Sequence, residues 1–441
     1  MKGINFAKYH EALDKASPFE YYGRVTKIVG LAVEATGPAS RVGDICNLYT
    51  LSGGTYIQAE IVGFVSNNVL LMPYGAVEGI GLGSLVKYTK EPLKVPVGYN
   101  YIGRVLDALG NPIDGLPAPE PDTFYSVDNP PPNPLTRERV NQALSLGVKS
   151  IDGMLTVGSG QRLGIFAGSG VGKSTLLGMI SRYSVADINV IVLVGERGRE
   201  VRDFLEKDLG PDGIARSVLI IATSDQPALL RLKCAMFGTA MAEYFRDQGK
   251  KVLLLMDSLT RFAMAQREIG MATGEPPVSR GYPPSVYTIL PKLLERSGAS
   301  DKGSITALYT VLVEGDDMNE PIADTVRGIL DGHIVLSRAL ANSNHYPPID
   351  ILASISRVMP DIVTPEHYSA MGLIKSMMAT YRDSEDLINI GAYKRGANPT
   401  IDRSIELYPA ITSFLRQDML EHHTFDETLG QMSTLSGGKS Q

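Results

Sequence analysis

Tryptophan is absent from this 441-residue sequence, cysteine occurs twice and histidine six times. Cys46 and Cys234 are too isolated in sequence to be a disulfide framework and read as reduced thiols in a cytoplasmic protein. His10, His333, His345, His367, His422 and His423 have no metal-ligand spacing with those cysteines. The adjacent His422 and His423 cannot face one ligand from a helix, so no metal site made only of protein ligands is expected. No run of 18 or more apolar residues occurs, which gives no expectation of a transmembrane helix. The first 16 residues include Lys2, Lys8, Glu11, Asp14 and Lys15 and have no continuous apolar segment, so they do not read as a secretory signal. The formal charge of −6 lacks the basic excess of a general nucleic-acid binder, and none is expected as a partner.

What remains is the composition of a soluble globular chain, 44% hydrophobic and 20% charged, long enough for two or three domains. Residues 1–19 place Phe6, Tyr9 and Leu13 at helical spacing. They read either as a docked terminal helix or as a docking segment for a partner. Residues 20–92 alternate short apolar runs (Gly23–Leu31, Ile57–Val65, Val69–Pro73) with turn signals such as Ser52-Gly-Gly54, the pattern of a small β-barrel or sandwich. Leu116–Pro134 is proline-rich and reads as an extended connector or surface arm. Up to residue 363, apolar runs at Arg162–Ala167, Asn189–Val194, Ser217–Ala222, Lys251–Met256, Ile305–Val313 and Ile349–Ile355 alternate with helical segments. That alternation predicts an α/β domain over 93–363 with a largely parallel sheet. Residues 364–441 read as a helical domain, with helices at Tyr368–Thr380, Ser384–Ile390, Ile401–Leu420 and Thr424–Gln431. Leu435–Ser440 reads as a tail, because its Gly-Lys-Ser follows no strand and opens no helix.

The strongest local signal is Ala167-Gly-Ser-Gly-Val-Gly-Lys-Ser174, which follows an apolar strand and opens a helix. It matches the phosphate-binding loop pattern except that Ala167 stands at the first glycine position, where a small residue fits the turn. Gly168, Gly170 and Gly172, with Ser169, Val171 and Thr175 beside them, let backbone N–H groups close around phosphate oxygens at a helix N-terminus. Lys173 is placed for the terminal phosphates and Ser174 for Mg²⁺. Lys251–Asp257 is an apolar run ending in an acid, the form of a second Mg²⁺-holding carboxylate. Asn189–Val194 leads into Gly195-Glu-Arg-Gly-Arg-Glu200, which puts Glu196 at the ligand-binding edge of the sheet, where a carboxylate can orient a water. On position alone Glu200 competes with it.

At this point the chain resembles a known family. Gly195–Glu200 resembles the catalytic glutamate segment of rotary ATP synthase subunits. Asp257–Glu268, Gly281–Val286, Leu293–Arg296 and Glu314–His333 resemble the type III export ATPases, and Phe262–Arg267 leans toward their flagellar members. The resemblance implies a RecA-like core between a β-barrel and a helical domain, using ATP and Mg²⁺. It implies Glu196 as catalytic glutamate, Asp257 as metal-holding acid and Tyr346 as the aromatic packed on adenine. It also implies Arg357 as an arginine finger reaching the neighbouring subunit's nucleotide. With that finger comes a homohexameric ring whose turnover energises protein export. Its implied partners are a stalk-like regulator, a coiled-coil protein in the ring channel and chaperone–substrate complexes. Its implied place is the cytoplasm, peripheral to the inner face of the membrane at the export apparatus. Alternative members of the wider group are an injectisome ATPase, a rotary ATP synthase subunit and a Rho-like RNA translocase.

Overall fold

The computed structural model describes residues 6, 9, 10, 13, 20–37, 40–135, 137–313, 315 and 317–437. The 1–19 helical segment lies largely outside the described residues, as does the end of the Leu435–Ser440 tail. The chain divides into two compact units.

The first is built on a closed antiparallel barrel. Its strands are β1 (Tyr22–Val29), β2 (Ala32–Ala35), β3 (Asp44–Tyr49), β4 (Tyr56–Val65), β5 (Asn68–Pro73) and β6 (Leu85–Pro92). They close in the order β1-β2-β5-β4-β3-β6, with β6 pairing back onto β1. Alternate residues point inward, so Val25, Val33, Leu48, Ile61, Leu71 and Val86 fill the interior. Closure leaves no free sheet edge.

The second unit is organised by one mostly parallel sheet. β7 (Lys94–Val97) and β9 (Thr123–Ser126) form a separate two-stranded pair. β8 (Val105–Leu106), β10 (Arg162–Ala167), β11 (Ile188–Glu196), β12 (Ser217–Thr223) and β13 (Lys251–Asp257) enter the main sheet. So do β14 (Gly298–Ala299), β15 (Ser304–Leu312), β16 (Gly332–Leu336) and β17 (Ile349–Ser356). The order is β17-β16-β10-β15-β13-β11-β12-β8, with β14 paired to β15. Only β17 and β14 run antiparallel to their neighbours. The strands carry almost continuous burial, as expected where helices cover both faces.

The proline-rich stretch runs mostly exposed along the surface, as an extended connector would, but it is anchored. It contributes β9, and Val127 behind it is buried. Arg296 donates to the Val127 carbonyl at 2.6 Å while pairing with Glu243 at 2.8 Å, both side chains almost fully buried. Asn129 donates to the other Glu243 oxygen at 2.8 Å. Proline supplies no N–H, so past β9 the segment is held through side chains, Arg296 donating to its backbone and Asn129 donating from it.

The carboxy-terminal segment is helical, with two differences from expectation. The stretches Tyr368–Thr380 and Ser384–Ile390 are one helix, Pro365–Asn389, because the polar residues between them contain no breaker. The next helix runs Pro399–Leu415 and stops five residues before Leu420, where Arg416 turns to an extended conformation. The last helix, Phe425–Ser436, opens with a capping box between Thr424 and Glu427. Ile374, Met377, Ile411, Phe414, Leu415 and Met432 pack into the same apolar cluster as the sheet residues Leu163, Ile165 and Leu308. No helix among the described residues is long and apolar enough to cross a membrane.

Candidate functional site

The phosphate-loop sequence sits where the sheet demands. β10 ends at Ala167, which pairs in register with Leu312 of β15, and the helix Lys173–Tyr183 starts five residues after Gly168. Ala167 is the last extended residue of a strand, so the missing glycine costs nothing there. Gly172 is the helix N-cap with φ +94 and offers no side chain to the first-turn N–H groups. Those donors therefore point into the cleft with the positive end of the helix dipole.

A cleft of about 490 Å³ opens at this point. Gly168, Ser169, Gly170, Gly172, Lys173, Ser174 and Thr175 line it from the loop, and Glu196, Glu200, Asp257 and Arg261 from the strand ends beyond. Val171 does not line it. Its side chain turns into the core, leaving only its backbone to face a ligand.

The three charged groups predicted from separate sequence segments converge. Lys173 Nζ lies 2.5 Å from Asp257 Oδ1 and 3.6 Å from Glu196 Oε1. All three side chains are at most 13% exposed. Burial first, then the Asp257 carboxylate nearby, push Glu196 up to about 7 against the pull of Lys173. Gly195, at φ +69, turns the end of β11 so that Glu196 faces the cleft. A Cβ at Gly195 would lie 3.2 Å from the Arg261 side chain, so the turn also admits that arginine. Glu200 lines the same cleft, but it is more than half exposed and pairs with Arg197 at 3.6 Å.

Two participants escaped the sequence reading. Thr310 Oγ1 donates to Asp257 Oδ1 at 2.6 Å from a fully buried position on β15. β15 lies between β10 and β13, an arrangement that only sheet order reveals. Arg261 reaches the cleft from the first turn of the helix Leu259–Ala272, and its buried Nε has no partner. Its place four residues after the acid was a visible signal.

The hard oxygen donors of Ser174 and Asp257 suit Mg²⁺, and they flank the lysine that would meet the phosphates. Tyr346 lies outside the cleft lining but beside the loop. Its ring atom Cε1 is 3.6 Å from where a Gly172 Cβ would stand, and the side chain is 45% exposed.

Arg357 is elsewhere. Gly332 pairs with Ser356 and Leu336 with Ile349, so β17 carries Arg357 to the sheet edge opposite the phosphate loop. That is about 16 Å away at 3.3 Å per residue along β16. Arg357 is exposed, and among the described residues its guanidinium hydrogen-bonds the Leu330 carbonyl alone, at 3.3 Å.

Comparison with known proteins places these features together. Residues 25–90 match the beta-barrel domain of the ATP synthase alpha/beta family, residues 147–356 its nucleotide-binding domain, and residues 363–434 the T3SS EscN ATPase C-terminal domain. A flagellum-specific ATP synthase of Bacillus subtilis is 54% identical over 97% of this chain and 98% of its own length. A type 3 secretion system ATPase of Xanthomonas euvesicatoria is 48% identical over 94% of each chain. The assembled ATPase EscN of enteropathogenic E. coli, in complex with its central stalk EscO, superposes with a TM-score of 0.87 at 46% identity. That match covers 94% of this chain and all of EscN.

Proposed function

This chain belongs to the ATP synthase alpha/beta family, among its flagellum-specific and type III secretion ATPases, and from that premise we propose how its residues divide the work. It hydrolyses ATP to ADP and phosphate as the export ATPase of a flagellar type III apparatus, in a homohexameric ring. The observation that carries this reading is the split site. Lys173, Glu196 and Asp257 meet in one cleft, while Arg357 stands exposed on the far edge of the same sheet.

Within the cleft Lys173 pairs with two carboxylates. An incoming triphosphate offers it a stronger anionic partner, and the N–H groups of residues 168–175 surround the phosphate oxygens. Ser174 and Asp257 would hold Mg²⁺, which would supply positive charge against the phosphates. Asp257, released by the lysine, keeps the Thr310 hydroxyl as its fixed donor. Glu196 in its ionised form accepts a hydrogen bond from the attacking water and aligns it with the γ-phosphorus. Arg357 of the next subunit and Lys173 of this one balance the charge of the transferring phosphoryl group. Tyr346 gives the base a flat apolar face beside the loop.

The partners follow from the same family reading. A central coiled-coil stalk occupies the ring channel, as EscO accompanies EscN. A stalk-like regulator, export chaperone–substrate complexes and a peripheral position on the inner membrane face at the export gate complete the assembly.

The test is the Mg²⁺-ATPase rate per subunit across protein concentrations, with and without RNA. A rate that climbs with concentration and ignores RNA supports a shared-site export ring. A flat rate contradicts shared sites, and stimulation by RNA favours a translocase instead.

A further inference from the structure

Gln417 is buried to 4% exposure in the short extended segment between the helices Pro399–Leu415 and Phe425–Ser436. Its amide is fully used. The carbonyl accepts from the Lys149 backbone N–H at 2.8 Å, and Nε2 donates to the carbonyls of Gly147 at 2.9 Å and Glu421 at 2.8 Å. Lys149 is the first residue of the helix Lys149–Met154, whose own N-cap residue, Val148, has no capping side chain. Gln417 therefore caps that helix from 268 positions away in sequence. Its backbone N–H donates to the Tyr346 carbonyl at 3.0 Å. One residue thus joins the carboxy-terminal helices, the entry to the α/β sheet and the loop bearing the aromatic ring beside Gly172.

The surrounding contacts make this joint stiff. Asp152, one turn into the capped helix, accepts from Ser145 Oγ at 2.6 Å and from the N–H groups of Leu146 and Gly147 at 2.8 and 3.0 Å. Arg182, near the end of the phosphate-loop helix, donates to the Met419 carbonyl, and the Tyr183 and His422 rings lie 5.1 Å apart. Segment 416–422 is therefore tied at both sides of the loop helix. Tyr346, by contrast, is a residue 45% exposed to solvent, so its backbone anchors decide where the ring sits.

We infer that Gln417 is a positioning residue for the nucleotide base. It fixes the Tyr346 ring over the phosphate loop and links that ring's position to the carboxy-terminal helices. The inference rests on Tyr346 being the base platform. A side chain acting only through that ring governs affinity for the base and leaves phosphate affinity alone.

Calorimetric titration of the full-length protein with Mg²⁺-ADP and, separately, Mg²⁺-pyrophosphate tests this. Gln417→Ala is expected to weaken ADP about tenfold, the scale of one lost aromatic–base stack, with pyrophosphate unchanged. Gln417→Glu keeps the acceptor for Lys149 but loses both donors, and serves as the second variant if the alanine form folds poorly. Tyr346→Ala is expected to show the same selective loss, and adding Gln417→Ala to it is expected to cost nothing more, because both act through one ring. Equal weakening of both ligands by Gln417 variants overturns the inference in favour of a general structural role. Selective loss in Tyr346→Ala with silent Gln417 variants overturns the inference alone. No selective loss in Tyr346→Ala overturns the platform reading itself.

Discussion

At the carboxyl edge of the sheet, Lys173, Asp257 and Glu196 satisfy one another within the chain. At the opposite edge Arg357 projects from the end of β17 with its guanidinium on the Leu330 carbonyl. Both regions grow from the same sheet, but they solve different problems. Groups that must wait in a buried cleft need partners within the chain, because an unpaired charge there is costly. A group that acts across a subunit boundary must stay exposed until the neighbour arrives. Under the proposed division of work, one subunit builds a binding site but only half of a catalytic one.

Removing the exposed half should have the largest effect. Arg357→Ala is expected to lower the assembled enzyme's kcat by about 10³-fold or more, the scale of an arginine finger. Its affinity for Mg²⁺-ADP should stay near wild type in equilibrium titration. Normal turnover in this variant would erase the distinction between the two edges. Glu196→Gln tests the buried half and should cut kcat by about 10²–10⁴-fold while nucleotide binding persists. Surviving turnover would move the water-orienting role to Glu200.

Thr310→Val sharpens the buried side further. Losing a hydroxyl donor to a carboxylate costs about 1.5–3 kcal/mol, so kcat/KM for ATP should fall at least about tenfold. Mg²⁺-ADP affinity should weaken in step, whereas Thr310→Ser should retain both. The smallest effect concerns pH. Burial and Asp257 hold Glu196 up at about 7, so its working ionised form is lost as pH falls through that value. The kcat/KM for ATP should therefore drop on the acid side of about 7 and level off above it. Glu200 adds to the upward shift, so Glu200→Gln should move the drop to lower pH. A drop only near the ordinary carboxylate range would contradict the buried pairing.

The buried edge was legible in sequence because each of its parts is local. The strand over Arg162–Ala167 was read to the residue, and the loop and the acid at Asp257 follow strands by fixed spacing. What was not legible is lateral. Thr310 lies in a run that reads only as a buried strand, and nothing local says that β15 separates β10 from β13. β16 is five residues long and gave too little periodicity to stand out. In the barrel, β2, β3 and β6 lie outside the apolar runs legible in the sequence: β2 is only four residues long, Asp44 and Asn47 break the apolar run of β3, and Lys87, Lys90 and Glu91 interrupt β6. The sequence pattern puts Gln417 inside a helix over Ile401–Leu420. The helix stops at Leu415 instead, and the extended segment beyond it is held by contacts more than 250 residues away in sequence. The roles proposed for Arg357 and Tyr346 rest on family resemblance alone. Their surroundings explain the silence, since an exposed arginine and a half-exposed tyrosine carry no local signature.

The shared site can be tested directly by mixing. Glu196→Gln and Arg357→Ala proteins, each nearly inactive alone, are combined in equal amounts under conditions that allow subunits to exchange, and Mg²⁺-ATPase activity is measured. In a head-to-tail ring about a quarter of the interfaces then join an intact Glu196 to an intact Arg357 from the neighbour. Recovery of activity toward that fraction is the predicted result. A mixture no more active than its components would contradict the claim that catalysis is completed across the subunit boundary.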